Sequence, residues 1–336
     1  VELLELEGSN PAIFAERPSP GATKTVMIYM PYDGLPVNVA NWASDPWVPV
    51  MRTDMVENGG EQVPMTTPFD PDLRIFARSA GDDKAPIIAL QSALKALAEA
   101  GIEPTVNLKV FLEGEEEAGS PNLRRMIEAH KDKLAADLWL FCDGPVHQSR
   151  RWQLVYGVRG TYGFNLTVYG PNRPLHSGHY GNWAPNPIML LTELISSMRA
   201  PDGEILVDGY SDQVRPLSEE ELNAIAAAPR MDQLLTSDLG IVAPETGDRL
   251  ELAIGRPAMN LRGIRGGDVG SQARNVIQPS AEASIGLRLV PAQTPGYLRG
   301  VIERHIESQG YFVIYDEPTP EQRQKHRKLA RLDWSS

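Results

Sequence analysis

Three apolar runs in the first half of the chain each lead into acid. Thr25-Val-Met-Ile-Tyr-Met30 runs to Asp33, Thr105–Leu112 runs into Glu113-Gly-Glu-Glu-Glu117, and Leu138-Trp-Leu-Phe-Cys142 ends at Asp143-Gly144-Pro145. A further pair, Asp82-Asp83, opens a helical pattern. In an open parallel α/β sheet the loops at the carboxyl ends of the strands converge, so these acids share one rim. Crowded carboxylates repel and raise each other's pKa unless positive charge sits among them. A pair of divalent ions is the simplest remedy, and its chemistry is activation of water and polarisation of a carbonyl. Taken singly, each acid also has a plain structural reading. Asp82 and Asp83 suit a helix cap, Glu115–Glu117 suits a solvated charge run, and Asp143-Gly144 suits a turn. Rival chemistries lack their motifs: there is no GxxxxGK[ST], no HExxH and no GxSxG.

The elements that must hold these acids follow from periodicity. Apolar runs alternating with helical patterns over the first 150 residues or so indicate an α/β domain with a mostly parallel sheet. Ile87, Leu90, Leu94 and Leu97 fall on one helical face, predicting a helix over 83–100 stopped by Gly101. Residues 121–134 read as a polar amphipathic helix. The stretch from Pro36 to Arg78 reads as a long functional loop carrying exposed aromatics, Trp42 and Trp47. Beyond Gln153 the pattern changes to strands at 153–156, 162–169 and 282–290, with helices at 187–198 and 295–309. That combination predicts a two-layer α+β unit. Arg262–Gly270 reads as a flexible glycine-rich loop. The boundaries are 1–152 for a catalytic domain, with a partial return over 312–336, and 153–311 for the second domain.

Composition narrows the function classes. Across 336 residues, 42% are hydrophobic and 23% charged, which suits a folded protein and excludes disordered and collagen-like classes. The formal charge of −12 argues against nucleic-acid and membrane-surface partners. Cys142 is the one cysteine, so intrachain disulfides and CxxC metal sites are excluded. No apolar run reaches the roughly 18 residues of a spanning helix. The chain begins at Val1 in strand-like sequence, and the cytoplasm is the default expectation.

Four ordered blocks resemble the carnosine dipeptidase and aminoacylase family of dinuclear zinc peptidases, the dipeptidase branch more than the deacylase branches. Leu112–Leu123 resembles its EGxEExGS signature, and Arg78-Ser-Ala-Gly-Asp82-Asp83-Lys84 its RGxxDDKG segment. Leu175-His176-Ser-Gly with Asn186-Pro187 resembles LHSGxxGG…NP, and Arg274-Asn275-Val-Ile-Gln-Pro279 with Leu287-Arg288-Leu-Val-Pro291 resembles NxIP…RLVP. The resemblance implies a zinc-peptidase-like catalytic domain and a lid that forms a homodimer. It implies hydrolysis of the amide bond of dipeptides or related small peptides by metal-activated water. It also implies two divalent ions, zinc or manganese, with Asp82 bridging them and Glu117 and Asp143 each ligating one. Glu116 would be the general base, His176 the oxyanion-stabilising group, and Arg288 with Asn275 the substrate-binding residues. Asp33 would orient the first metal-binding histidine.

Two positions depart from the family pattern. Pro31 stands where the first metal-ligating histidine is expected, and past the lid strands only His305 and His326 remain, read as a lid-helix residue and a solvated one. The surviving set is all oxygen, which suits manganese or magnesium better than zinc. The expectation is therefore a piece of a longer protein or a degenerate homologue. Its alternative functions are a binding or dimerisation protein and an N-acyl-amino-acid amidohydrolase.

Overall fold

The computed structural model describes residues 1–66, 68–144 and 146–335; Thr67, Ser336 and Pro145, the last of these read above as part of the turn after Asp143, lie outside the described residues. The chain divides into two compact units, Val1–Val146 and His147–Ser336.

The first unit is built on a five-stranded sheet. Its strands are β1 (Glu2–Leu4), β2 (Ala12–Arg17), β3 (Thr25–Pro31), β7 (Asn107–Glu113) and β8 (Leu138–Phe141), in the order β1-β2-β7-β3-β8. The three strands that carry the acids, β7, β3 and β8, are parallel, so their carboxyl ends lie at one edge. β1 and β2 form an antiparallel hairpin along β7, so the sheet is mixed. The apolar run of β3 suits its place between β7 and β8: Met27, Ile28, Tyr29, Met30 and Pro31 are all buried. Phe14, Met27, Tyr29 and Phe111 pack with Met126 of α2 (Leu123–Ala129) and with Leu134 in the turn beyond it. α2 is shorter than its sequence suggests, because the backbone leaves helical geometry at His130, at φ −119°, and turns before Leu134 rejoins the core.

The stretch between β3 and α1 (Ala85–Glu99) is not one long loop. It folds as a small antiparallel sheet of β4 (Val50–Arg52), β5 (Gln62–Val63) and β6 (Arg74–Phe76), in the order β5-β4-β6. Gly101 closes the end of α1 in the left-handed region, at φ +67°, where glycine carries no Cβ penalty. The predicted face of Ile87, Leu90, Leu94 and Leu97 is the less exposed side of α1, yet no residue of that helix is fully buried.

The second unit holds another five-stranded sheet, in the order β11-β13-β9-β15-β14. These strands are β9 (Gly160–Tyr169), β11 (Ala258–Arg265), β13 (Ser280–Leu289), β14 (Phe312–Ile314) and β15 (Leu329–Trp334). α4 (Pro187–Met198) and α8 (Pro295–Ser308) cover one face. Ala281, Ala283, Ile285, Leu287 and Leu289 alternate inward along β13 and meet Leu191, Leu194, Leu298, Val301, Ile302 and Ile306. β10 (Leu175–His176) pairs with β12 (Val276–Ile277), followed by the one-turn α3 (Ser177–Tyr180). Short helices α5 (Glu219–Ala227), α6 (Asp232–Asp238) and α7 (Leu250–Ile254) lie between α4 and β11 in the chain.

Four expectations are corrected here. The described residues of 312–336 make no partial return to the first domain, because β15 pairs with β9 and β14 with β15 in the second sheet. Residues 153–156 form no strand: no neighbouring strand pairs with them, and Trp152, Leu154 and Tyr156 are exposed. Arg262–Arg265 belongs to β11 rather than to a loop, held by its register with β13. His326 is not simply solvated, since its ring stacks 3.8 Å from that of Phe312 at the end of α9 (Pro320–Lys325). Among the described residues no helix is long and apolar enough to cross a membrane.

Candidate metal centre

The parallel register of the first sheet brings the acids together. Pro31 lies opposite Glu113, and the Tyr32 N–H donates to the Glu113 carbonyl at 2.8 Å, so β3 and β7 release their chains at one level. On the other side of β3, the Cys142 N–H donates to the Tyr29 carbonyl at 2.9 Å, which carries the ladder to the residue before Asp143. From β3 the chain reaches Asp33, whose Oδ2 accepts the Glu117 N–H at 3.1 Å. That bond ties the first acidic loop to the turn of Glu116–Ala118, which Gly119 completes at φ +83°.

Asp82, Asp83 and Glu117 converge so closely that one carboxylate oxygen from each lies within 4.8 Å of the others. Neither aspartate caps α1, because Lys84 holds the N-cap position and makes no side-chain capping bond. Asp83 is only 2% exposed, and neither of its oxygens has a hydrogen-bond partner. Oε1 of Glu117 and Oδ1 of Asp33 are also buried and unpartnered. Burial, then contact with Asp82, pushes the Asp83 carboxyl up to about 8, with Asp143 and Glu117 adding to the effect. Glu116 and Glu117 are raised first by desolvation and then by neighbouring carboxylates, as is Asp143. Buried acceptor-only groups without donors are costly, and a bound cation is what this arrangement fits. A cleft of about 640 Å³ is lined by Asp82, Asp83, Cys142 and Asp143, with Ala85, Pro86 and Ala89 from the start of α1.

The acids differ in role. Glu115 accepts the Asn10 N–H at 2.9 Å and bonds from the Asn122 side chain, which hold its carboxyl low and make it a structural tie. Glu113 is buried beneath the rim and accepts from the Tyr29 hydroxyl, while its other oxygen is unpartnered. Pro31 is buried at the end of β3 and offers no donor atom, so in this unit the candidate ligands are oxygens.

Sequence reasoning brought Asp33, Asp82, Asp83, Glu116, Glu117 and Asp143 to one rim but gave Asp83 no ligand role and Arg78 no role at all. Asp83 was visible as the second member of an acidic doublet. Arg78, at the head of the same block, places positive charge near Glu117; its Nε is buried without a partner and its guanidinium lies 5.2 Å over the Trp42 ring.

His176, Asn275 and Arg288 belong to the second unit. His176 ends β10, and its Nδ1 accepts the Gly178 N–H at 3.0 Å. The Asn275 carbonyl accepts the Ser177 N–H at 3.0 Å, so those two segments are neighbours. Arg288 is exposed near the end of β13. The His179 ring lies 4.9 Å from that of His176.

Comparison with known proteins bears on both units. Residues 156–312 match the dimerisation domain of the M20 peptidases. The chain is 31% identical over 302 residues to a Cys-Gly metallodipeptidase of Schizosaccharomyces pombe, an alignment spanning 88% of this chain and 60% of that protein. It is 28% identical over 311 residues to the human Beta-Ala-His dipeptidase, spanning 88% of this chain and 56% of that one. An M20 family metallo-carboxypeptidase from Sulfolobus solfataricus has a similar structure at TM-score 0.71 and 27% identity, covering 98% of this chain and 68% of that one. The chain thus spans under two thirds of the length of the two dipeptidases.

Proposed function

We propose, for a chain that belongs to the dipeptidase branch of the M20 metallopeptidases, that it carries the acidic metal-binding and substrate-binding residues of a hydrolase acting on dipeptides or related small peptides. The observation that carries this reading is the set of buried, donorless carboxylate oxygens of Asp83, Glu117 and Asp33 on one rim with Asp82. Asp82, Glu117 and Asp143 would hold two divalent ions, and their oxygen atoms favour manganese over zinc. Such ions, when bound, lower the pKa of water and polarise the scissile carbonyl.

Glu116 serves as the general base. Desolvation and four neighbouring carboxylates raise its proton affinity above that of an ordinary glutamate, so it takes up a proton from water more readily. Asp33 positions it by accepting the N–H of the adjacent Glu117. In His176, Nδ1 is engaged as an acceptor, which leaves the proton on Nε2, free to donate to a developing oxyanion. Arg288 offers a guanidinium fork to the substrate's free carboxylate, with Asn275 as a further polar contact. The second unit is the homodimerisation element, supported by its match to the M20 dimerisation domain.

The test is metal content followed by turnover. Two manganese ions per chain, reduced in Asp82→Ala, with cleavage of neutral dipeptides, is the expected result. A chain that retains no ion after equilibration with manganese or zinc overturns the reading.

A further inference from the structure

The open face of the second sheet, opposite α4 and α8, carries a feature that the roles above do not explain. Gly163 of β9 and Gly286 of β13 are direct cross-strand partners in mid-strand. Glycine there weakens a sheet unless something must approach the backbone closely. The neighbour is Arg262. A Cβ at Gly286 would lie 3.1 Å from the Arg262 Cδ, and a Cβ at Gly163 would lie 2.6 Å from the Ile285 carbonyl oxygen and 3.1 Å from the Arg262 Nη2. The side chain therefore lies flat across both glycines. It starts from the register shift between Leu261 and Gly263 in β11, an irregularity of the kind that re-aims a side chain.

Arg262 is not alone. Arg288 lies two residues beyond Gly286 on the same strand and hence on the same face, about 7 Å along it. Arg159, half-buried just before β9, is held below the usual guanidinium range by burial and by the charge of Arg288. Elsewhere on this face arginines have acidic partners: Arg265 pairs with Glu282 at 2.7 Å, and Arg331 pairs with Glu317. Arg159, Arg262 and Arg288 form no ion pair among the described residues, and Asp333, opposite Asn165 in β15, does not reach them. Arg159 and Arg288 lie close enough to repel, Arg262 shares their face, and an anion joining them relieves that excess of positive charge.

We propose that Arg262, laid across the Gly163–Gly286 pair beside Arg288, forms a second carboxylate subsite that selects peptides ending in an acidic residue. Arg288 takes the terminal carboxylate, as in the dipeptidase reading on which this inference rests, and Arg262 takes the side-chain carboxylate. A guanidinium fork suits each of the two groups, and Arg159 adds to the positive field between them. Gly286 is the structural condition, since a side chain there would press on the Arg262 stem, while Gly163 leaves room for its guanidinium and is required by the Ile285 carbonyl as well.

The test compares Gly-Glu with Gly-Gln, which differ only in that carboxylate. Calorimetric titration of both into the metal-free full chain reads the subsite without turnover, and kcat/KM with manganese reads it during catalysis. Gly-Glu is expected to bind roughly tenfold tighter than Gly-Gln, in line with a charge-assisted bidentate pair. That ratio should fall towards one in Arg262→Ala and Arg262→Gln, and recover in part in Arg262→Lys. Equal binding of the two peptides, binding of neither, or a ratio that survives both neutral variants overturns the inference. Cleavage of neutral dipeptides tests the hydrolase reading separately, so either can fail alone.

Discussion

α1 and α8 differ by one residue in length, 15 against 14, and both show an apolar stripe at helical spacing. In the second unit that stripe is fully used: Leu298, Val301, Ile302 and Ile306 are all buried against the sheet. In the first unit the stripe of α1 is only half covered, and Leu138 and Phe141 of β8 are exposed. Charge follows the same division. The second unit pairs Arg265 with Glu282 and Arg299 with Glu303, whereas the first collects carboxylates that have no donors. The first unit leaves clustered acids for a cation, which is what a reactive site requires, and the second leaves Arg159, Arg262 and Arg288 without acidic partners among the described residues.

The comparison breaks most visibly if the acid rim proves inert. With manganese bound, Glu116→Gln should lower kcat by about 10²- to 10⁴-fold, the usual worth of a general base, with the thermal midpoint unchanged. Steady-state kinetics and a melt on the same preparation check both halves. The complementary change is in the second core. Leu166 is 0% exposed, and Leu166→Ala should cost about 2–5 kcal/mol in denaturant unfolding.

Ions sharpen the contrast from the other side. At a hundredfold excess over its Kd, a divalent ion should stabilise the first unit by about 2.7 kcal/mol, and Asp82→Ala should abolish the gain. Hydrogen exchange should confine the added protection to residues before 147.

The two units should also answer pH in opposite directions. Folding raises the Asp83 carboxyl to about 8, so stability present in acid is lost as pH rises through the range from 4 to about 8. In the second unit, burial lowers the pKa of His305, whose Nε2 lies 2.9 Å from the Ser197 hydroxyl. A depressed histidine contributes stability above its unfolded pKa of about 6.5 that is lost as pH falls below it. Exchange corrected for intrinsic rates should therefore show metal-free protection falling with rising pH in one unit and with falling pH in the other. Asp83→Asn should flatten the first slope.

The smallest effect expected is that of Leu94→Ala. Its side chain is only half covered, so the loss should stay under about 1 kcal/mol. A loss as large as that of Leu166→Ala would mean the two helices are equally committed to their cores.

The elements were largely legible because periodicity is local. Ile87–Leu97, Leu298–Ile306 and the alternation of β13 each declare one face without knowing what will cover it. The acids at the ends of β3, β7 and β8 were legible for a related reason, since parallel strands release their chains at a common edge. What escaped was pairing between distant segments. β15 takes the place beside β9 and β14 the edge beyond it, which no local pattern assigns, and the run around Trp152 lacks a partner strand despite its apolar composition. By itself the sequence determined which residues carry charge, which faces are apolar and where the chain turns. Only the tertiary structure decided that Asp83 is sealed away from every donor and that Arg262 lies over two glycines from other strands. Burial and through-space charge are sums over neighbours brought in from remote positions, and no local window of sequence contains that sum.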